Sequence, residues 1–168
     1  MNLLTFVVLL PLIGGALLLL IPKQRGRFLV AALSSAATLA ISIVIAREVM
    51  AKGAVAAQMA GWEAPFGITL IADGLSALML VLSGVMGLLT VFFVDATLHA
   101  GPRRGYGSLL SRARELFGAQ ALFQFLFAGV NLSFVTGDVF NLYVAFELML
   151  IASYGLLLLG GGLPQLRE

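Results

Sequence analysis

The chain has 168 residues, of which 61% are hydrophobic and only 11% charged, and its formal net charge is +2. A soluble domain carries about 25% charged residues, so a water-soluble fold is excluded and an integral membrane protein is expected. There is no cysteine, which excludes disulfides, thiolate metal sites and thiol redox chemistry.

Five apolar runs are long enough, or nearly long enough, to span a bilayer, which takes about 20 helical residues. The first covers 3–21 and is closed by Pro22 and Lys23. It lacks basic residues ahead of it, and Pro22-Lys23-Gln24 is not a small-residue cleavage site, so it is expected to be a retained helix and not a signal peptide. Pro11, Gly14 and Gly15 within it predict a kink or a close helix contact. The second run covers 28–46 and ends at Arg47 and Glu48; the third covers 68–94, interrupted by Asp73. The fourth, 117–136, reaches spanning length only by borrowing from its ends, and the fifth, 139–159, carries Glu147. The chain is therefore read as a single all-α membrane module of five spans.

The loops give an orientation. Lys23, Arg25, Arg27, Arg103, Arg104, Arg112, Arg114 and Arg167 fall on one side, and only Arg47 and Lys52 on the other. Cytoplasmic loops are enriched in Lys and Arg, so the N-terminus is expected outside and the C-terminus in the cytoplasm of a multi-pass protein of the inner cell membrane. Trp62 and Phe66 then fall at the outer interface as aromatic anchors. Within the loop 95–118, Leu109, Leu110, Ala113, Leu116 and Phe117 share one arc at helical spacing, which predicts a short amphipathic helix on the inner leaflet or a partner subunit. His99, just past the third run and near Asp95, reads as an interfacial loop histidine.

Glu147 dominates the functional reading. A carboxylate inside a spanning helix costs about 2.5 to 3.5 kcal/mol on insertion scales and marks proton or ion pathways by default. Tyr143 at i−4 and Tyr154 at i+7 share its helical face and offer hydroxyl partners. No basic residue of the chain lies in a predicted span near it, so a cationic partner is expected from elsewhere. Asp138, in Thr136-Gly137-Asp138, suits an N-cap of the fifth helix, with an ion-entry role as the other reading. Asp73 fits either a cap or a polar group at the outer mouth of a path. Asn131, with Ser133 and Gln124, fits hydrogen bonds to neighbouring helices, or else a polar point on a transport path. No nucleophile triad, phosphate loop, metal box or dinucleotide fingerprint is present, so neither an enzyme nor a cofactor site is expected.

Two stretches read in order carry a resemblance. Gly61-Trp62-Glu63-Ala64-Pro65-Phe66-Gly67-Ile68 opens into Ala72-Asp73-Gly74-Leu75-Ser76-Ala77-Leu78-Met79. Later come Ala128-Gly129-Val130-Asn131, Thr136-Gly137-Asp138-Val139-Phe140-Asn141-Leu142 and Phe146-Glu147-Leu148-Met149-Leu150-Ile151-Ala152-Ser153-Tyr154. This order and spacing resemble the D subunits of the multisubunit Mrp-type sodium/proton antiporters. The superfamily also holds the antiporter-like subunits of respiratory complex I and of membrane-bound hydrogenases.

The resemblance implies that Glu147 matches the family's key glutamate on the fifth helix, which pairs with a lysine on a later helix and gates proton movement. It implies other membrane subunits as partners, protons and possible Na+ as the transported ions, a surrounding lipid bilayer and no nucleic acid. Family members are far longer, so the chain is expected to be equivalent to the N-terminal third of such a protein: a split-gene product, a truncation or a self-standing module. Two alternatives stand beside the antiporter reading. One is a proton-pumping subunit of a complex I or hydrogenase-like redox complex; the other is a structural membrane protein without transport of its own.

Overall fold

A computed structural model describes residues 3–59, 62, 67–99 and 109–160, and the side chains of all of these but 97–99, 109–117 and 160. Its helices are α1 (Leu3–Leu20), α2 (Gln24–Lys52), α3 (Gly74–His99), α4 (Leu109–Val135) and α5 (Val139–Gly160). Two short strands, β1 (Val55–Gln58) and β2 (Thr69–Ala72), lie between α2 and α3. Each helix contains a segment long and apolar enough to cross a membrane, and the chain is a multi-pass membrane protein. Helices satisfy their own backbone groups, which is why a bilayer selects them.

Helices α1 to α4 form a ring in which α1 meets α2 and α4, and α3 meets α2 and α4. Helix α5 packs outside the ring, along α4. The ring's core is apolar where Leu4, Val7, Ile45, Leu70, Leu80 and Val135 meet.

Helix α2 extends beyond the expected run at both ends. At its start, Arg27 is buried, and its guanidinium donates hydrogen bonds to the carbonyl oxygens of Leu18 and, at 3.1 Å, Ile21. Those carbonyls close α1 and have no partner within a helix of their own. Arg27 therefore leaves the loop to which its charge assigned it and caps α1. At the other end Gly53 adopts φ 88°, and its N–H bonds the Val49 oxygen at 2.8 Å. That left-handed conformation suits glycine and stops the helix.

Strand β1 then runs antiparallel to β2, from Val55 opposite Ala72 to Gln58 opposite Thr69. Along β2, Leu70 and Ala72 are buried while Ile71 is exposed, the two-residue alternation of a half-covered strand. On the other side of the hairpin, Leu70 bridges to Thr136. The third apolar run, which predicts helix from residue 68, starts instead as a strand. It becomes helix only after Asp73, whose side chain begins α3.

The amphipathic stretch 109–117 is helical, but it is the first part of α4 and not a separate short helix. Nothing between Leu109 and Phe117 breaks a helix, and Gly118 alone costs only about 1 kcal/mol. His99 is the last residue of α3, not a loop residue. Trp62 is exposed; Phe66 lies outside the described residues.

Candidate functional site

Helix α5 is the least covered of the spans. Only 11% of its Val139–Leu159 segment is buried, against 50% of Gly118–Val135 in α4. The two buried alanines of α5, Ala145 and Ala152, lie seven residues apart on the stripe that meets α4. Glu147 follows Ala145 by two residues, about 200° around the helix. It therefore points away from α4, and it is exposed. Tyr143 (60% exposed), Ile151 (70%) and Tyr154 (62%) share this open face. The Tyr143 hydroxyl, one turn before Glu147, interacts with its carboxylate. The structure thus brings together three of the expected site residues, Tyr143, Glu147 and Tyr154, on a polar stripe set in an apolar face.

The other expected residues lie elsewhere. Asp138 caps α5: the Asn141 N–H donates to its Oδ1 at 2.6 Å. The Asn141 side-chain amide donates to Thr136 Oγ1 at 3.0 Å, and that hydroxyl donates to the Asp138 carbonyl at 3.0 Å. Asp73 caps α3, accepting the Ser76 N–H at 2.8 Å. That N–H, helped by the Ser76 hydroxyl, holds the Asp73 carboxyl below its ordinary range. Strand β2 joins the two caps, because the Gly137 N–H donates to the Thr69 oxygen at 2.8 Å. Glu147 is nine residues below Asp138, roughly 13 Å along the helix.

Asn131 is fully buried inside the ring, among α1, α3 and α4. Its Nδ2 donates to the Val7 oxygen at 3.3 Å, and its Oδ1 accepts the Ser83 hydroxyl at 2.8 Å. Gln124, two turns earlier on α4, donates to the Ala31 oxygen at 3.2 Å and to Ser35 Oγ at 3.1 Å. The Ser133 hydroxyl donates to the Val130 oxygen of its own helix at 2.8 Å. Asn131 and Glu147 thus lie on opposite sides of the α4 packing, and the structure does not bring them together.

Sequence reasoning missed Thr69, Thr136 and Asn141 as parts of the turn that seats α5. The Thr-Gly-Asp-x-x-Asn pattern carried a cap signal for two of them; Thr69 could be found only once the hairpin was known. Among the described residues no group of three His, Cys, Asp or Glu side chains could hold a metal ion.

No family model matches the chain. It is 38% identical over 168 residues to the D subunit of the Na(+)/H(+) antiporter of Alkalihalophilus pseudofirmus, covering 99% of this chain and 32% of that protein. It is 40% identical over 169 residues to the D subunit of the "Probable K(+)/H(+) antiporter" of Rhizobium meliloti, covering 96% of this chain and 29% of the relative. Among solved structures, the Mrp complex from Dietzia sp. DQ12-45-1b contains a chain that superimposes with a TM-score of 0.71 at 29% identity, over 90% of this chain and 26% of that one. The chain spans about a third of the length of the curated relatives it matches. Over nearly all of its own length, the chain is similar to a part of the D subunits of Na(+)/H(+) and probable K(+)/H(+) antiporters.

Proposed function

We propose that this chain forms the N-terminal part of a membrane subunit in a multisubunit monovalent cation/proton antiporter, and that Glu147 carries protons there. The observation that supports this reading is the placement of Glu147. It is an acid in a spanning helix, turned away from the ring, on a face that the rest of the described chain leaves open. Intramembrane acids face a protein interior or a water-filled path and mark proton or ion pathways, and the open face of α5 is where such an interior or path would be completed.

The open face of α5 is where the further helices of such a subunit would pack, with a cation among them to balance Glu147. Tyr143 and Tyr154 extend the polar stripe one turn before and two turns after the acid, and Tyr143 can steady either charge state of it. Asp73 and Asp138 serve as helix caps at the mouth, and Asn131 as a cross-helix tie, so all three position the path and do not carry protons. The N-terminus lies outside and the C-terminus in the cytoplasm of the inner cell membrane. The amphipathic start of α4 lies along the inner leaflet or a neighbouring subunit. Na+ and K+ both appear in the names of relatives, and either fits a role in which this chain handles the proton and not the metal cation.

The test uses the full protein in its assembled complex, in vesicles. Glu147→Gln keeps size and hydrogen bonding but removes titration; Glu147→Asp keeps the acid one methylene shorter. Gln is expected to abolish cation-linked proton movement at unchanged complex content, and Asp to retain part of it. Normal antiport with Glu147→Gln would leave Glu147 a structural acid.

A further inference from the structure

Three glycines line the α4–α5 contact, and they do not behave alike. A Cβ at Gly118 would meet Leu159 at 3.0 Å, and one at Gly155 would meet Leu122 at 2.8 Å. Both neighbours are side-chain ends that can swing aside. A Cβ at Gly129 would meet Met149 Cγ at 2.8 Å and, at 3.2 Å each, the backbone oxygen of Ala145 and the backbone nitrogen of Met149. Here the wall is the α5 main chain. Gly129 is therefore where α4 comes against the α5 backbone. Ala145 and Met149 flank Glu147 by two residues on either side, so that contact lies at the level of the acid.

At this level α5 is held by its packing along α4. Its upper end is tied by Asp138 and by the Gly137–Thr69 hydrogen bond, nine and ten residues away. Its face opposite α4 is open. A methyl group at 129 cannot push α4 back, because the ring holds α4 on two other helices. It must push or turn the Glu147 segment of α5.

We propose that Gly129 is a positioning residue for Glu147. By letting the two backbones touch, it sets the distance and rotation of the α5 turn that carries the acid. Its effect on transport rests on the proton-carrier reading above; its effect on the geometry of α5 does not. Misplacing a well-oriented group by 1 Å can cost about 100-fold, so a shift of a few tenths of an ångström should cost about threefold.

The experiment uses the full protein in its assembled complex in vesicles, with Glu147→Cys as a probe, since this chain has no native cysteine. The rate of modification by a small thiol reagent is compared with and without Gly129→Ala. In parallel, antiport against pH and cation concentration is measured for Gly129→Ala with Glu147 intact, and Gly118→Ala serves as the control. Gly129→Ala is expected to change the thiol rate and the half-maximal proton concentration for antiport about threefold or more, at unchanged complex content. Gly118→Ala should leave both in place. Adding Met149→Ala, which removes the side-chain contact but leaves the two main-chain ones, should reduce the change in both readouts without abolishing it. An unchanged thiol rate in Gly129→Ala, or an equal change in Gly118→Ala, overturns the proposal. If Gly129→Ala does not assemble, the rate is read in the Gly129→Ala/Met149→Ala pair, and parental reactivity in Gly129→Val/Met149→Ala as well would overturn it. If Glu147→Gln transports normally, the proton-carrier reading falls, while the thiol comparison still decides whether Gly129 positions residue 147.

Discussion

Asn131 completes a hydrogen bond that Pro11 removes. Proline has no N–H, so Pro11 cannot bond the carbonyl four residues earlier, and that carbonyl belongs to Val7. The Asn131 Nδ2 donates to the Val7 oxygen at 3.3 Å, from 124 residues away. Both Val7 and Asn131 are fully buried. In a membrane no water stands by to replace the missing donor, and a proline is tolerated where a neighbouring helix satisfies the freed group. The Ser83 hydroxyl then bonds Asn131 Oδ1, so one side chain on α4 ties α1 and α3 together.

This pairing predicts a coupled double mutant. Asn131→Leu should destabilise the protein by about 1 to 2 kcal/mol, the range of interhelical polar contacts in membranes. Pro11→Ala gives the Val7 carbonyl a helical donor of its own. In the Pro11→Ala background Asn131→Leu should therefore cost less, with a coupling of about 1 kcal/mol. Thermal or denaturant unfolding of the four proteins in mild detergent measures the cycle. Simple additivity would show that Asn131 and the Val7 carbonyl are energetically independent.

Topology gives a second prediction. The chain has no cysteine, so single cysteines can report sidedness without background. Ala56→Cys, on the exposed face of β1, should react with an impermeant thiol reagent applied outside, and Arg112→Cys should be spared until the membrane is opened. The reverse pattern would invert the charge-based orientation and place the Asp73 and Asp138 caps on the cytoplasmic side.

Cap titration gives a third. The Asp73 carboxyl is held below its ordinary range by the Ser76 N–H. A group whose folded pKa is depressed adds stability that is full above its unfolded pKa, near 3.9, and fades as pH falls through the folded value. The start of α3 should therefore be insensitive to pH near neutrality and loosen only in acid below about pH 4. Asp73→Asn keeps a good N-cap without a titrating group, so hydrogen exchange at the first turn of α3 should lose its acid dependence in that variant. An acid dependence that persists would place its origin in another group. At the other cap, Asp138→Ala should cost about 1 kcal/mol, because Asn141 loses its acceptor at 2.6 Å.

The spans were legible because the bilayer leaves so few solutions. Apolar length, closing prolines and charges mark where a helix can cross, and each predicted run meets a helix in the structure. The hairpin was not legible. Val55–Gln58 and Thr69–Ala72 are four residues each, too short for alternation to stand out, and the second merges with the apolar run of α3. Only Asp73 hinted at a later helix start. Glu147 could be singled out from its chemistry, and its face followed from helical spacing. That Asn131 bonds another helix was also expected, but its partner was not. Finding Val7 requires knowing which turn of α1 lies against α4, and that depends on ring packing that no local pattern encodes.

Gln124 separates buried amides that hold the fold from those that merely fit it. Like Asn131 it is a fully buried amide of α4 that bonds across helices. Its target differs. The Ala31 carbonyl lies inside α2, where the regular helix already offers the N–H of Ser35. Without Gln124 that oxygen keeps its helical partner, and Ser35 Oγ can turn back to the same carbonyl, as Thr38 and Ser42 do to theirs one and two turns on. Gln124 Oε1 has no hydrogen-bond partner among the described residues, and a buried acceptor left in that state costs about 1 to 3 kcal/mol. Replacing the amide with an apolar side chain of similar length removes that cost together with two hydrogen bonds. Gln124→Met is therefore expected to be neutral within about 1 kcal/mol, or stabilising, whereas Asn131→Leu destabilises. Unfolding of the two variants side by side in the same detergent checks this. A loss in Gln124→Met as large as that in Asn131→Leu would show that Oε1 is satisfied in the membrane and that the α2–α4 amide contact is as essential to the ring as the one that completes α1.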